Sequence, residues 1–208
     1  MVTRQLIARG LHDPAVLAAM RSVPRQAFVP AYLAEYAFDD GPLPIAEGQT
    51  ISQPYVVAWM AEALHLEPTD RVLEIGTGSG YAAAVLSRIA AEVYTVERHA
   101  ELAGGARKLL ERLGYDNVHV LRGDGTRGWP EHAPYDAIAV AAGSHEVPPA
   151  LLDQLAAGGR LVMPVGSGPE DQELLRITRL AGTGPDQFRR EELGGVRFVP
   201  LVSAGGPN

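Results

Sequence analysis

Val72-Leu73-Glu74-Ile75-Gly76-Thr77-Gly78-Ser79-Gly80-Tyr81 decides the fold. A short apolar run broken only by Glu74 leads straight into a glycine-rich turn, and the spacing of apolar residues then becomes helical over 81–90. A buried strand that ends in glycines and opens a helix points backbone amides at whatever lies beyond the strand's carboxyl end. The spacing is G-x-G-x-G, one residue shorter than the dinucleotide fingerprint, which argues against a nicotinamide dehydrogenase.

Outward from this junction the same rhythm repeats. Short apolar runs at 93–96, 118–121, 137–141 and 161–165 alternate with helical patterns at 102–113 and 149–155. Strand and helix in alternation predict right-handed βαβ units and a parallel sheet. Two later β-like runs, 174–180 and 196–202, have no helix between them and are expected to pair as an antiparallel hairpin. Upstream, Asp13-Pro14 reads as a cap and first residue of a helix through Val16, Leu17 and Met20. Ile51-Ser52-Gln53-Pro54 leads into a second helix with Val56, Val57, Met60, Ala61 and Leu64 on its apolar side. Stretches rich in Gly and Pro at 165–170 and 181–186 read as exposed loops.

The expectation is therefore an α/β fold with a doubly wound, mostly parallel sheet, an N-terminal helical lobe and a C-terminal antiparallel hairpin. The 208 residues form a single domain, divided into a lobe at 1–70, a ligand-binding core at 71–165 and C-terminal strands at 166–208.

Composition narrows the chemistry. The absence of cysteine rules out disulfides, thiolate metal sites and a cysteine nucleophile. Eighteen basic against twenty-five acidic residues give a net charge of −7, which repels phosphate backbones, so no nucleic-acid partner is expected. The six histidines show no ligand spacing, so no metal is expected either. Met1 to Asp13 lacks an apolar segment of signal-peptide length, and no window is long and apolar enough for a membrane helix. The expected setting is cytoplasmic, without a membrane partner.

Two acids join the glycine loop. Glu97 ends the second strand, twenty-one residues after Gly76, where a carboxylate can accept both hydroxyls of a ribose. Asp124 follows the third strand in Gly123-Asp124-Gly125, at the edge where an adenine would lie.

At this point the chain resembles a known family. The block from Glu74 to Tyr81 is similar to the S-adenosylmethionine loop of protein-L-isoaspartate (D-aspartate) O-methyltransferases, which have a Rossmann-like class I methyltransferase fold. Val23-Pro24-Arg25, Leu43-Pro44-Ile45, Gly48-Gln49-Thr50-Ile51-Ser52-Gln53-Pro54, Gly123-Asp124-Gly125 and Val196-Arg197-Phe198-Val199-Pro200-Leu201 agree with it. The resemblance implies methyl transfer from S-adenosyl-L-methionine, leaving S-adenosyl-L-homocysteine, to the α-carboxylate of isoaspartyl residues in damaged proteins and peptides. It implies cofactor contacts from Ile51, Ser52, Gln53, Pro54, Glu74, Gly76, Thr77, Gly78, Ser79, Gly80, Glu97, Arg98, Asp124 and Gly125. It also implies a substrate site of Ile45, Ile51, Ser52, Val199, Pro200 and Leu201, with Ser52 as the catalytic residue.

Ser52 admits two readings from the residues alone. Its hydroxyl can hold a substrate carboxylate on the methyl axis, or it can simply cap the helix that follows. Two rival functions also stand: methylation of a small carboxylic acid, and a module that binds the cofactor without catalysis. A nucleic-acid N-methyltransferase would carry an Asn- or Asp-Pro-Pro-aromatic block after the fourth strand, where this chain has Ala141-Ala142-Gly143-Ser144.

Overall fold

The computed structural model describes residues 1–168, 170–182, 187–203 and 206–207. Seven strands form one sheet in the order β5-β4-β3-β6-β7-β8-β9. They are β3 (Arg71–Ile75), β4 (Glu92–Glu97), β5 (Val118–Arg122), β6 (Tyr135–Val140), β7 (Leu155–Gly166), β8 (Gln172–Arg179) and β9 (Phe188–Val196). The first five run parallel, while β7 with β8 and β8 with β9 are antiparallel. Chain order reverses at β3, whose neighbours are β4 on one side and β6 on the other. The carboxyl end of β3 is therefore the switch point at which α/β sheets open a crevice.

Apolar residues on both faces explain the buried strands. Val72, Val93, Ala137, Ala139 and Val162 face a core that also holds Val16 and Met20 of α1 (Pro14–Ser22), Ala58 and Ala61 of α2 (Pro54–Ala63), Val85 of α3 (Tyr81–Leu86) and Leu110 of α4 (Ala100–Arg112). Leu73, Ile75, Ile138, Val140, Leu161 and Met163 face a second core closed by Leu151 of α5 (Pro149–Asp153), together with Tyr94 and Tyr135. A small hairpin of β1 (Leu43–Pro44) and β2 (Thr50–Ile51) joins the lobe to α2.

The C-terminal hairpin differs from expectation. The partner of β8 is Phe188–Val196, so of the run 196–202 only Val196 joins the strand ladder, opposite Gln172. Of that run, 197–201 leaves the ladder and crosses back over the crevice, and Val202–Ser203 (β10) pairs with Gly206–Pro207 (β11). The reason is a set of hydrogen-bond partners outside the ladder. Gly143 N donates to Val199 O at 2.8 Å, Leu201 N donates to Gly143 O at 2.7 Å, and the Gln172 side-chain amide both accepts from Phe198 N (2.7 Å) and donates to Phe198 O (3.2 Å). A Cβ on Gly143 would collide with that amide, so glycine is required where the tail passes. Of the two loops expected from the sequence, residue 169 and residues 183–186 lie outside the described residues.

Gln172 is buried, and both of its amide bonds go to Phe198. Replacing it with leucine removes them and strands the Phe198 amide. Gln172→Leu is expected to destabilise the protein by about 1–3 kcal/mol in denaturant titration. The same substitution should accelerate hydrogen exchange at Phe198 and Leu201 ahead of the sheet.

Candidate functional site

The turn after β3 is shaped by three glycines with positive φ: Gly76 (94°), Gly78 (53°) and Gly80 (89°). Gly76 N donates to Val96 O at 2.9 Å, which ties the loop to β4. Gly80 caps α3, and the ring of Tyr81 turns under the loop, buried.

Glu97 is the electrostatic anchor. It is buried, and its two oxygens accept from different backbone segments: Oε2 from Gly78 N and Oε1 from His99 N, both at 2.9 Å. Charge-assisted bonds of this kind fix the carboxylate's orientation. Glu97 lines a cavity of about 300 Å³ together with the glycine loop, Arg98, His99, Gly125, Ile51, Ser52 and Leu201, among others.

Glu74 lies beneath the loop, in the layer below the cavity wall. Its Oε2 accepts from Thr95 Oγ1 at 2.5 Å, and Thr95 Oγ1 is 2.6 Å from Thr77 Oγ1 in the loop itself. Its Oε1 is buried without a partner. Burial pushes the carboxyl up to about 8, moderated by the Thr95 hydroxyl and reinforced by the charge on Glu97. At neutral pH Glu74 is a neutral acid that braces the loop.

The structure brings together Ile51, Ser52, Gly76, Thr77, Gly78, Ser79, Glu97, Arg98 and Gly125 in one cavity wall. It places the other residues expected to contact cofactor behind or beside that wall. Gln53 turns outward and donates to Asp40 Oδ1 at 2.7 Å, and Pro54 is the first residue of α2. Gly80 packs against Leu110 and Ala106, and Asp124 accepts from Thr126 N and Oγ1 through Oδ1, capping a short turn. Gly125 is buried, and a Cβ there would meet Ile75 Cγ2, so the chain passes close beside the end of β3.

Ser52 does not cap α2. The helix starts at Pro54, its cap is Gln53, and no side chain bonds into its first turn. Proline at the first helical position moves the cap one residue past the serine. Ser52 stands instead where two cavities meet. A second cavity of about 830 Å³ runs beside the first, lined by Pro42, Gln53, Val56, Gln172, Arg197 and Phe198. Thr50, Ser52, Ala141, Val199 and Pro200 belong to both walls. Of the expected substrate residues, Leu201 and Ile51 line only the first cavity, and Ile45 reaches over the glycine loop, its Cδ1 3.4 Å from where a Cβ on Gly78 would sit.

Sequence reasoning missed His99 and Gln172. His99 Nδ1 lies 3.4 Å from Glu47 Oε2, a contact from the lobe across the cavity mouth. Its only signal is its place two residues after Glu97. Gln172 has no signal in the sequence, because its role depends on a tail twenty-six residues away.

The model of the protein-L-isoaspartate(D-aspartate) O-methyltransferase family matches residues 1–206. The chain belongs to this family. Relatives named protein-L-isoaspartate O-methyltransferase include one from Pelobacter propionicus, 65% identical over 99% of this chain and 90% of that protein. Another, from Geotalea uraniireducens, is 61% identical over 99% of this chain and 93% of its own length. A solved protein-L-isoaspartate O-methyltransferase superposes with a TM-score of 0.85 at 32% identity, covering 99% of this chain and 66% of its own. A Plasmodium falciparum structure described as such an enzyme in complex with S-adenosyl-L-homocysteine gives 0.79 at 26% identity, covering 96% of each chain. As a member of the family, the chain has a class I methyltransferase fold.

Two outcomes follow from this geometry. Glu97→Ala should weaken S-adenosyl-L-homocysteine binding by about 1–3 kcal/mol in calorimetry, since it removes a charged group from the cavity wall and frees the Gly78 and His99 amides together. Glu74 should give a pH slope to stability. The unfolded chain releases its proton near 4.5 and the folded chain near 8, so between these values the folded state holds the extra proton. The stabilisation is complete below about pH 4.5 and declines by about 1.4 kcal/mol per pH unit as pH rises towards 8. Glu74→Gln should flatten that slope in melts between pH 5 and 8.

Proposed function

We infer that this protein is a repair methyltransferase that moves the methyl group of S-adenosyl-L-methionine to the α-carboxylate of L-isoaspartyl residues in damaged proteins and peptides. The observation that carries this reading is the shared wall: Ser52, with Thr50, Ala141, Val199 and Pro200, borders both the glycine-loop cavity and the cavity beside it. A methyl donor in one and a carboxylate in the other would meet at Ser52.

The first cavity fits the cofactor. The glycine loop lets a ligand approach its backbone closely, and the anchored carboxylate of Glu97 suits vicinal hydroxyls. When bound, S-adenosyl-L-methionine supplies a methyl group already activated on a sulfonium. The chain's own work is then positional. A carboxylate with a pKa of about 4 is ionised at neutral pH and needs no general base. Ser52 can donate a hydrogen bond to one carboxylate oxygen and leave the other on the methyl axis. Ile45 above the glycine loop and Leu201 at the cavity wall exclude water, and positioning in a dry site supplies several kcal/mol of barrier reduction.

The methyl ester carries a far better leaving group than the carboxylate does. Attack by the neighbouring backbone nitrogen on the ester carbonyl breaks the C–O bond, expels methanol with the nitrogen's proton and closes a succinimide, which water hydrolyses in part to normal aspartate. The bridged segment Val199-Pro200-Leu201, extended against Gly143, offers main-chain groups to a peptide irrespective of its sequence. A cytoplasmic setting without nucleic-acid or membrane partners fits the −7 charge. Among the described residues no helix is long and apolar enough to cross a membrane, and no group of three or more His, Asp and Glu could hold a metal.

Methyl transfer from labelled S-adenosyl-L-methionine to an isoaspartyl peptide and its normal aspartyl twin tests the reading. Labelling of the isoaspartyl peptide alone is expected; equal labelling of both, or of neither, removes it. Ser52→Ala should lower single-turnover transfer by about 100-fold with little change in melting temperature or S-adenosyl-L-homocysteine affinity. Ser52→Asp should fold and be inactive, because it sets a negative charge beside an anionic acceptor.

A further inference from the structure

Arg25 is a buried cation with no counter-ion among the described residues. It is fully inaccessible to solvent. Nε donates to Ala37 O at 2.7 Å, Nη2 donates to Ser52 O at 2.8 Å, and the guanidinium carbon lies 4.6 Å from the centroid of the Tyr81 ring. Nη1 has no partner among the described residues, and no carboxylate oxygen lies within 4.0 Å of the group. The Tyr81 hydroxyl, pushed up to about 12 by burial, is neutral and does not balance the charge. An unpaired buried charge is costly, and a chain that keeps one needs something to offset it.

What the guanidinium touches indicates that offset. Its Nη2 holds the backbone of Ser52, in the wall shared by the two cavities, and its face rests on Tyr81, in the wall of the first. Resting on the function proposed above, we propose that Arg25 is a positioning residue whose uncompensated charge, one residue's backbone away from the acceptor, selects an anionic carboxylate over its neutral derivatives. The same charge favours the carboxylate substrate over the methyl ester product, so methyl transfer itself loosens the peptide. Lysine would not substitute equally, because its single ammonium group cannot reach Ala37 and Ser52 in one fixed fork.

The test uses binding alone, on enzyme saturated with S-adenosyl-L-homocysteine. An isoaspartyl peptide and the same peptide with that α-carboxylate converted to the carboxamide are titrated into the parent and Arg25→Gln. The parent should prefer the carboxylate by about tenfold or more, as expected of a nearby charge in a medium far less polarisable than water. Arg25→Gln should lose most of that preference while binding the carboxamide about as the parent does. A merely structural role would weaken both peptides equally and leave the ratio intact, which overturns the proposal.

A salt series on the parent decides the matter even if the variant does not fold. A preference set by a buried charge persists from about 20 to about 500 mM salt, whereas one set by surface charges fades over that range. Fading overturns the assignment to Arg25 and leaves the methyltransferase reading standing. A parent that never distinguishes the two peptides overturns that reading as well.

Discussion

Both oxygens of Glu97 accept backbone N–H groups, one from the glycine loop at Gly78 and one from the turn into α4 at His99, and much of the site's order depends on this clamp. Parallel strands bring β3 and β4 side by side in register, Ile75 opposite Val96, so each strand's exit loop starts at the same height. Two loops leaving adjacent strands would otherwise diverge, and a buried carboxylate between them holds them together. The arrangement is stable because the charge is hydrogen-bonded rather than orphaned. Glu74 is a contrasting case: one strand position earlier on β3 than Ile75, fully buried and served by a single hydroxyl, it stays protonated. Burial, only partly moderated by the Thr95 hydroxyl, is what pushes the Glu74 carboxyl up to about 8.

The second constraint is the return of the chain over the crevice. Between Val196 and Val202 the chain takes its partners from the Gln172 side chain and the Gly143 backbone rather than from a strand ladder. This brings Val199 and Pro200 into the wall between the two cavities. From the other side, the β1–β2 hairpin brings Ile51 and Ser52 to the same place, with Arg25 gripping the Ser52 carbonyl. Most of the wall between the two cavities is therefore assembled from two segments outside the central sheet.

Most of the core was legible because each buried strand is a short, mostly apolar run that stops at a turn signal. Glu97 was legible because its position follows from strand length and the length of the crossover helix. The C-terminal hairpin was misread for a physical reason. Phe188-Arg189-Arg190-Glu191-Glu192 is charged, as suits an edge strand with one side in water, so hydrophobic pattern conceals it. The apolar run beginning at Val196 looks like a strand because its side chains pack into the crevice, with Phe198 and Leu201 both buried. The capping alternative for Ser52 was open in the sequence, and Pro54 closes it by starting the helix two residues later. The unpaired charge of Arg25 could not be read at all, since its isolation is a property of three segments packed around it.

The proposed reaction sets donor and acceptor in separate cavities that meet at Ser52. A crystal structure with S-adenosyl-L-homocysteine and an isoaspartyl peptide bound together would show both at once. The expected arrangement has the ribose hydroxyls on Glu97, the peptide against Val199 and Pro200, and the isoaspartyl carboxylate within hydrogen-bond reach of Ser52 Oγ, facing the cofactor sulfur. A peptide carboxylate seated anywhere else, or a cofactor ribose away from Glu97, would contradict it.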